Sequence, residues 1–365
     1  MKVLFLANIP SPYRVAFFNE LGKLCDLTVL FERHNAADRD ERWIGEQYKN
    51  FNAVFLKGIK IGTDASFSLE YLKYLKKDRF DVIVLAGYSS PTGILSFMHC
   101  RLHKIPYIIS SDGAFMREER GLKYKFKRFL LSKAKAALVT NEETKKYINT
   151  YGISEDKIYI YPFTSLYQAE LLQNIIGQDE KEALKEKLGI KENKVVISVG
   201  QFIHRKGYDV LLNSWRSIPS NIGLYIIGGT PTEEYLNMVK EFELKNVHFV
   251  DFMSKENLLE YYKASDLFIL PTREDIWGLV INEAMACGLP IITTDRCGAG
   301  LALVKEEKNG HIVPIDDSNT LAKKINEVIN DEQKLISYSK ESLRIIRDYT
   351  FENMAKTHIE VFKKL

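Results

Sequence analysis

Cysteine is scarce. The 365 residues hold 4, at Cys25, Cys100, Cys287 and Cys297, far apart and with no C-x-x-C pair. That excludes a disulfide framework. Two of the four lie inside helix-like segments and read as small buried thiols, and the set points to a reduced, cytoplasmic compartment. Excess charge is also lacking. A net charge of +3 gives no global field to steer the chain onto nucleic acid, so any basic surface must be local. Long apolar runs are missing as well. The longest candidate, "DVIVLAGYSSPTGILSFM" (81–98), is broken by "GYSSP" and falls short of the roughly 18 uninterrupted residues of a membrane span. "MKVLFLA" carries one Lys and a short apolar run stopped by Pro10 and Pro12. It reads as a first buried strand, not as a signal peptide. The 7 histidines are scattered apart from His99 and His103, and no metal constellation emerges. The "DRD" at 38–40 lies in a polar stretch and reads as loop. Neither G-x-S-x-G nor G-x-x-x-x-G-K-[ST] occurs, which weakens hydrolase and ATPase readings.

What remains is ordinary globular composition, 45% hydrophobic and 27% charged, in a chain long enough for two domains of about 150–180 residues. Short apolar runs alternate with amphipathic stretches throughout. The strands read as 2–7, 26–31, 81–86, 106–110, 136–140 and 157–162, then 194–200, 223–229, 247–250, 266–271 and 290–294. They are apolar on both faces, as strands of a covered parallel sheet are. The spacing predicts a doubly wound α/β architecture repeated twice. The boundary falls in the polar stretch after "IYPF", which places the domains at 1–170 and 171–349. A last helix at about 350–365, capped by Thr350, either packs back on the first domain or lies on its own domain's surface.

In open α/β sheets, ligands bind at the carboxyl ends of strands, so the strand-to-helix junctions carry the candidate chemistry. "SVGQFIHRKGYDVLL" (198–212) ends a strand at Gly200 and sets Arg205 and Lys206 before a helix. A guanidinium fork, an ammonium and helix-start amides together suit a diphosphate. The alternative is a solvated pair capping nothing. His204 reads as a structural or exposed histidine. "PTREDIWGLVINEAMACGLPIIT" (271–293) is a strand end, a turn and a helix stopped by Gly288 and Pro290. Gly278 permits close backbone approach. The amides of Trp277, Gly278, Leu279 and Val280 would face phosphate oxygens, and Glu283 could accept bonds from a ribose diol. In the first half, "IISSDGAF" puts Asp112 at a strand end, where a plain Asx-turn role competes with a functional one. Asn141 in "VTNEE" reads as a helix N-cap.

The pairing of "GQFIHRKG" with "PTREDIWGLVINEAMACGLPII", with "NGHIVPIDDSNTLAKKI" (309–325) and "NIPSPYRVAFFNEL" (8–21) beside them, resembles the family 4 glycosyltransferases. The resemblance covers nearly the whole chain and is most specific over 197–325. It implies the GT-B fold, with two Rossmann-like doubly wound domains facing across a cleft, an acceptor-binding one first and a nucleotide-sugar donor-binding one second. It implies a retaining, metal-independent hexosyltransferase-type enzyme with no cofactor beyond its nucleotide-diphosphate-sugar substrate; work in cell-surface polysaccharide or lipopolysaccharide synthesis is read from the basic helix at 121–138 and the cytoplasmic character. Arg205 and Lys206 match the diphosphate-binding pair, and Glu283 the ribose-binding glutamate. The family's first glutamate appears here as Asp275, with Glu274 directly before it; either would orient the donor sugar. Ile276 to Val280 would line the diphosphate, and Gly229, Phe252 and Met253 fall where the base is held. Asp112 occupies a position that lies near the reacting carbon or acceptor in relatives. "NIPSPYR" departs from the family's Gly-Gly loop.

The segment 121–138 interleaves Lys123, Lys125, Lys127, Arg128, Lys133 and Lys135 with Tyr124, Phe126, Phe129, Leu130 and Leu131. That is the composition of a membrane-surface helix. A membrane contact through 121–135 would place a cytoplasmic protein peripherally at the inner face of the cell membrane, near a glycan or lipid-linked acceptor. A helix packing its apolar stripe on the sheet is the competing reading. Rival functions are a sugar-nucleotide 2-epimerase of the same fold and a non-catalytic sugar-nucleotide-binding partner.

Overall fold

The structure, a computed structural model, describes residues 1–33, 47–61, 65–117 and 119–365. The "DRD" segment at 38–40 lies outside the described residues. The chain divides into two compact domains, Met1–Tyr167 with Tyr349–Leu365, and Gln168–Asp348.

The first domain holds a seven-stranded parallel sheet: β1 (Lys2–Ala7), β2 (Asp26–Phe31), β3 (Asn52–Phe55), β4 (Val82–Leu85), β5 (Ile108–Ser111), β6 (Ala136–Val139) and β7 (Ile158–Ile160). Its order is 3-2-1-4-5-6-7. Val3 to Leu6 of β1 pair with β2 on one side and β4 on the other, and these four residues are fully buried. Their run of Val, Leu, Phe and Leu suits a strand covered on both faces. A short antiparallel ribbon, Ile59–Ile61 with Ala65–Phe67, stands apart from the sheet.

The second domain repeats the plan with six parallel strands: β8 (Lys194–Val199), β9 (Ile222–Ile227), β10 (Val247–Val250), β11 (Leu267–Leu270), β12 (Ile291–Thr294) and β13 (Gly310–Val313). Their order is 10-9-8-11-12-13. In both sheets the first strand sits between its sequence successor and the fourth strand. This is the switch point of a doubly wound sheet, where the helices after neighbouring strands leave toward opposite faces and open a crevice. β3 and β13 are absent from the sequence reading. Asn52–Phe55 opens on Asn, and Gly310–Val313 opens on Gly and His, so each shows too short an apolar run to stand out against loop.

The last helix, Phe351–Lys363, belongs to the first domain. The chain enters it through Thr164 Oγ1 donating to the Tyr349 carbonyl and the Phe351 amide donating to the Leu166 carbonyl, both at 2.8 Å. The Thr350 hydroxyl accepts from the Asn353 amide as the N-cap. Phe351, Met354, Ile359 and Phe362 are buried, and each apolar side chain so covered contributes roughly 1.5–3 kcal/mol. His358 on the same face is buried too, with its ring centroid 4.7 Å from those of Phe17 and Tyr161.

Candidate functional site

In the second domain the sheet order places β8 beside β11, so the loops that follow them meet. Past Gly200 the chain makes a single turn of 3-10 helix, His204–Lys206, and passes through Gly207 into the helix Tyr208–Trp215. Gly207 has φ +70°, and a Cβ there would lie 2.1 Å from the Pro271 carbonyl oxygen. Only glycine tolerates both the left-handed backbone and that approach. The loop after β11 is bonded directly to this turn. The Arg273 amide and the Thr272 hydroxyl both donate to the Arg205 carbonyl, at 2.8 and 2.9 Å. In return, Arg205 Nη1 donates to the Glu274 carbonyl at 2.6 Å. Arg273 also reaches the His204 carbonyl at 2.7 Å, forks onto Asp209 at 2.8 and 2.6 Å, and holds Asp316 at 2.7 Å. Burial favours a neutral Asp209, but Arg273 outweighs it and holds the carboxyl below its ordinary range. The sequence reading did not single out Arg273. Its position inside an acidic turn was the one available signal, and its partners lie 64 and 43 residues away.

This frame brings the basic pair onto the acidic turn. Lys206 Nζ donates to Asp275 Oδ2 at 2.6 Å, and Arg205 Nη1 lies 3.7 Å from Asp275 Oδ1. The Lys206 and Asp275 side chains are only 11% and 15% exposed. Asp275 is fixed from behind by a bridge to Cys297, its amide donating to the Arg296 carbonyl at 2.8 Å and its carbonyl accepting from Gly298 at 3.0 Å. Cys297 is fully buried, and burial pushes its thiol up to about 12, which leaves it inert.

Gly278, at φ +96°, opens the helix Leu279–Ala286, and the Ile281 amide closes the first bond on its carbonyl at 2.9 Å. A Cβ on Gly278 would sit 2.9 Å from Cys297 Sγ. The amides from Gly278 to Val280 therefore stand outside the helix's own ladder and present its positive end. The residues of this turn diverge. Ile276 is exposed, while Trp277 turns inward and its indole N–H donates to Asn282 Oδ1 at 2.8 Å. Glu283 is half-buried, one turn further on, and its Oε2 accepts from the buried Tyr262 hydroxyl at 3.3 Å. Glu274 is half-buried beside Asp275. Gly229 follows β9 with φ +103°, and its nearest side chain is Asp251, just after β10. Phe252 there is exposed and Met253 half-buried. His204 is exposed, which takes the second of the two readings, structural or exposed, that its sequence context leaves.

Asp112 lies in the first domain, directly after β5. Both of its carboxylate oxygens accept from Nη2 of Arg14, the third residue of the helix Pro12–Gly22. The Tyr161 hydroxyl adds a bond at 3.2 Å. Asp112 is therefore ion-paired and does more than close an Asx turn. Burial works against charge on Arg14, and Asp112, Tyr13 and Tyr161 more than offset it, so the guanidinium stays charged. Asn141 is the N-cap the sequence suggests, accepting from the Thr144 amide at 2.8 Å. Glu32, buried after β2, accepts from Ser90 Oγ at 2.7 Å and Ser66 Oγ at 3.4 Å. Burial raises its carboxyl to about 7 against the pull of those hydroxyls and Arg33.

Two surface features stand apart from these sites. The helix Gly121–Leu131 buries Leu130 and Leu131 but leaves Leu122, Phe126 and Phe129 exposed beside Lys123 and Lys125. Its apolar stripe is thus only partly spent on the sheet. Among the described residues, one grouping has metal-ligand composition: Glu306, Glu307 and buried His311. The sequence reading missed it because the ligand types do not follow a histidine repeat. Lys324 and Lys334 pair with Glu307 and Glu327 there, so it is part of an ion-pair network. No described helix is long and apolar enough to cross a membrane.

Comparison with known proteins assigns the class. The family described as Glycosyltransferase Family 4 matches residues 16–162, and Glycosyl transferases group 1 matches residues 180–344. An uncharacterized glycosyltransferase of Haemophilus influenzae is 31% identical over 176 residues, 47% of this chain and 49% of its own, so the match spans about half of that relative. The N,N'-diacetylbacillosaminyl-diphospho-undecaprenol alpha-1,3-N-acetylgalactosaminyltransferase of Campylobacter jejuni is 20% identical over 305 residues, 80% of this chain and 79% of its own. Other relatives carry names from capsule, lipopolysaccharide and O-antigen synthesis. Among solved structures, Anabaena HepE in complex with UDP shares the fold at a TM-score of 0.78, with 17% identity and 100% of both chains covered. The chain belongs to the group 1, family 4 glycosyltransferases, and its two Rossmann-like domains are those of the GT-B fold.

Proposed function

We propose that this glycosyltransferase moves a sugar, with retention of anomeric configuration, from a nucleoside-diphosphate sugar to a glycan or lipid-linked acceptor in cell-surface polysaccharide synthesis. The observation that carries the reading is the meeting of Arg205 and Lys206 with Asp275 beside the open helix start at Gly278. Two cations and a row of first-turn amides suit a diphosphate, and they stabilise the charge that develops on a departing nucleoside diphosphate. Glu283 takes the ribose diol, and Asp275 or Glu274 orients the sugar. Gly229, Phe252 and Met253 border the base. The acceptor oxygen bonds to the anomeric carbon on the face that the leaving group vacates. The bond from that carbon to the phosphate oxygen breaks, and the acceptor's proton passes to the departing phosphate, so no separate base is required. Asp112 receives the acceptor in the first domain.

HepE's structure with UDP supports a nucleoside-diphosphate donor, and the Campylobacter relative's name supports a diphospho-lipid acceptor. The exposed Leu122, Phe126 and Phe129 among lysines support a peripheral contact with an anionic membrane at its cytoplasmic face. The test is incubation with radiolabelled UDP- and GDP-sugars, with and without membrane lipid extract. Lipid-dependent label transfer is the expected result. Acceptor-free isomerisation of the donor would identify an epimerase, and tight binding without turnover a non-catalytic partner.

A further inference from the structure

We propose that Arg14 and Tyr161 are positioning residues that hold the Asp112 carboxylate in place as the receptor of an acceptor hydroxyl, and that the C-terminal helix, through His358, braces both of them. The inference rests on the reading of the first domain as the acceptor side.

The three side chains differ in access. Asp112 is 31% exposed, whereas Arg14 is 8% exposed and Tyr161 fully buried. A ligand at the strand ends can therefore touch the carboxylate but not the two groups that hold it. Arg14 bonds both carboxylate oxygens through one nitrogen, and Tyr161 adds a third donor on Oδ1. A carboxylate gripped from behind keeps lone pairs for a donor arriving from solvent, and it cannot swing away when a hydroxyl arrives.

Arg14 is itself constrained. It sits in the first turn of a helix opened by Pro12, its guanidinium carbon lies 5.8 Å from the Tyr13 ring centroid, and Tyr13 packs edge-on against Phe163 at 5.6 Å. The His358 ring lies 4.7 Å from Tyr161 and 4.7 Å from Phe17, on the same helix as Arg14. Its Nδ1 is tied to the Met354 carbonyl at 2.8 Å. Burial lowers its pKa to about 3, so it braces Arg14 as a neutral ring without competing for Asp112.

A purely structural ion pair would normally use its donors fully. Here Arg14 Nη1 and Ser11 Oγ, from the same helix start, are buried without a partner. A buried donor of this kind suits an ordered water, since an arriving ligand reaches only the carboxylate. A 98-residue separation between Arg14 and Asp112 also means that β1, β4 and β5 must pair before the carboxylate is placed.

The test compares Arg14→Met, Arg14→Lys, Tyr161→Phe and Asp112→Asn in the full chain. The readouts are radiolabel transfer from UDP- and GDP-sugars to membrane lipid extract, UDP and GDP affinity by calorimetry, and melting temperature. Loss of the Tyr161 hydroxyl, which keeps the packing, should lower transfer by roughly tenfold. Arg14→Met should lower it by on the order of a hundredfold, as small misplacements of reacting groups do. Arg14→Lys should recover part of that loss, nucleotide affinity should stay within about twofold, and Arg14→Met should add nothing to Asp112→Asn. Normal transfer by folded Tyr161→Phe and Arg14→Met proteins, with Asp112→Asn inactive, would overturn the inference. So would losses that merely follow melting temperature and add to that of Asp112→Asn. Full transfer by Asp112→Asn, or no donor use by the unaltered chain, would instead remove the acceptor-side reading beneath it.

Discussion

Asp275 occupies the cation that a diphosphate would need, and removing its charge should tighten nucleotide binding. The pair is short, 2.6 Å, and its side chains are 11% and 15% exposed, so water screens it little. Close charge pairs at shielded sites couple by roughly 1.5–7 kcal/mol. The lower part of that range applies, because the amide that replaces the carboxylate in Asp275→Asn would still accept from Lys206 through its oxygen. About 1.5–3 kcal/mol that now opposes phosphate entry would be released, which is roughly a tenfold to hundredfold gain in affinity for UDP or GDP. The ligand-free protein should lose stability at the same time, because Lys206 would be left shielded without a counter-ion.

Titration calorimetry of UDP and GDP against both proteins measures the first effect, and urea unfolding measures the second. The complete sugar nucleotide should gain less than the bare diphosphate, because the variant also loses the carboxylate proposed to orient the sugar. Equal or weaker diphosphate binding by Asp275→Asn would refute the reasoning, since it would mean that phosphate does not displace the carboxylate from Lys206.

Three further outcomes are expected. Lys206→Ala and Glu283→Ala should each cut turnover by on the order of a hundredfold, the usual loss when a preorganised charge is removed; initial rates of label transfer measure this. The folded chain holds a proton on Glu32 between pH 4.5 and about 7 that the unfolded chain releases, so Glu32 costs stability as pH rises through that window. Glu32→Gln should therefore be more stable than the unaltered chain by roughly 3 kcal/mol at pH 8, with the difference closing below pH 4.5 in urea unfolding. Replacing Phe126 and Phe129 by Ser, at exposed sites, should weaken sedimentation with phosphatidylglycerol-rich vesicles by about tenfold or more while leaving nucleotide affinity unchanged.

What could be read from the sequence was chemistry that lies within one junction. The turn 271–283 is contiguous, glycine marks its bend, and its acids and helix start follow an apolar strand. The basic pair follows another such strand. That the two would meet is a consequence of order: β8 and β11 are sheet neighbours at the switch point, and the fold resemblance implied as much. The strands β3 and β13 escaped notice because one opens on Asn52 and the other on Gly310 and His311, which leaves too short an apolar run to separate strand from loop.

The groups missed outright share one property, which is that a partner far along the chain gives each its meaning. Arg273 was in plain view inside the quoted turn, yet nothing local distinguishes a solvated arginine from one forked onto Asp209 and bonded to Asp316. Arg14 lay in the quoted opening stretch, and only the pairing of β5 beside β4, and of β4 beside β1, carries Asp112 back to it. Glu32, directly after β2, carries no local mark that sets it apart, and Ser90 and Ser66, far along the chain, close over it. A junction's own residues show which ligand chemistry it offers. Which of its charges are already taken depends on register and sheet order, and at Lys206 and Asp112 the charge already taken determines how binding and turnover should respond to mutation.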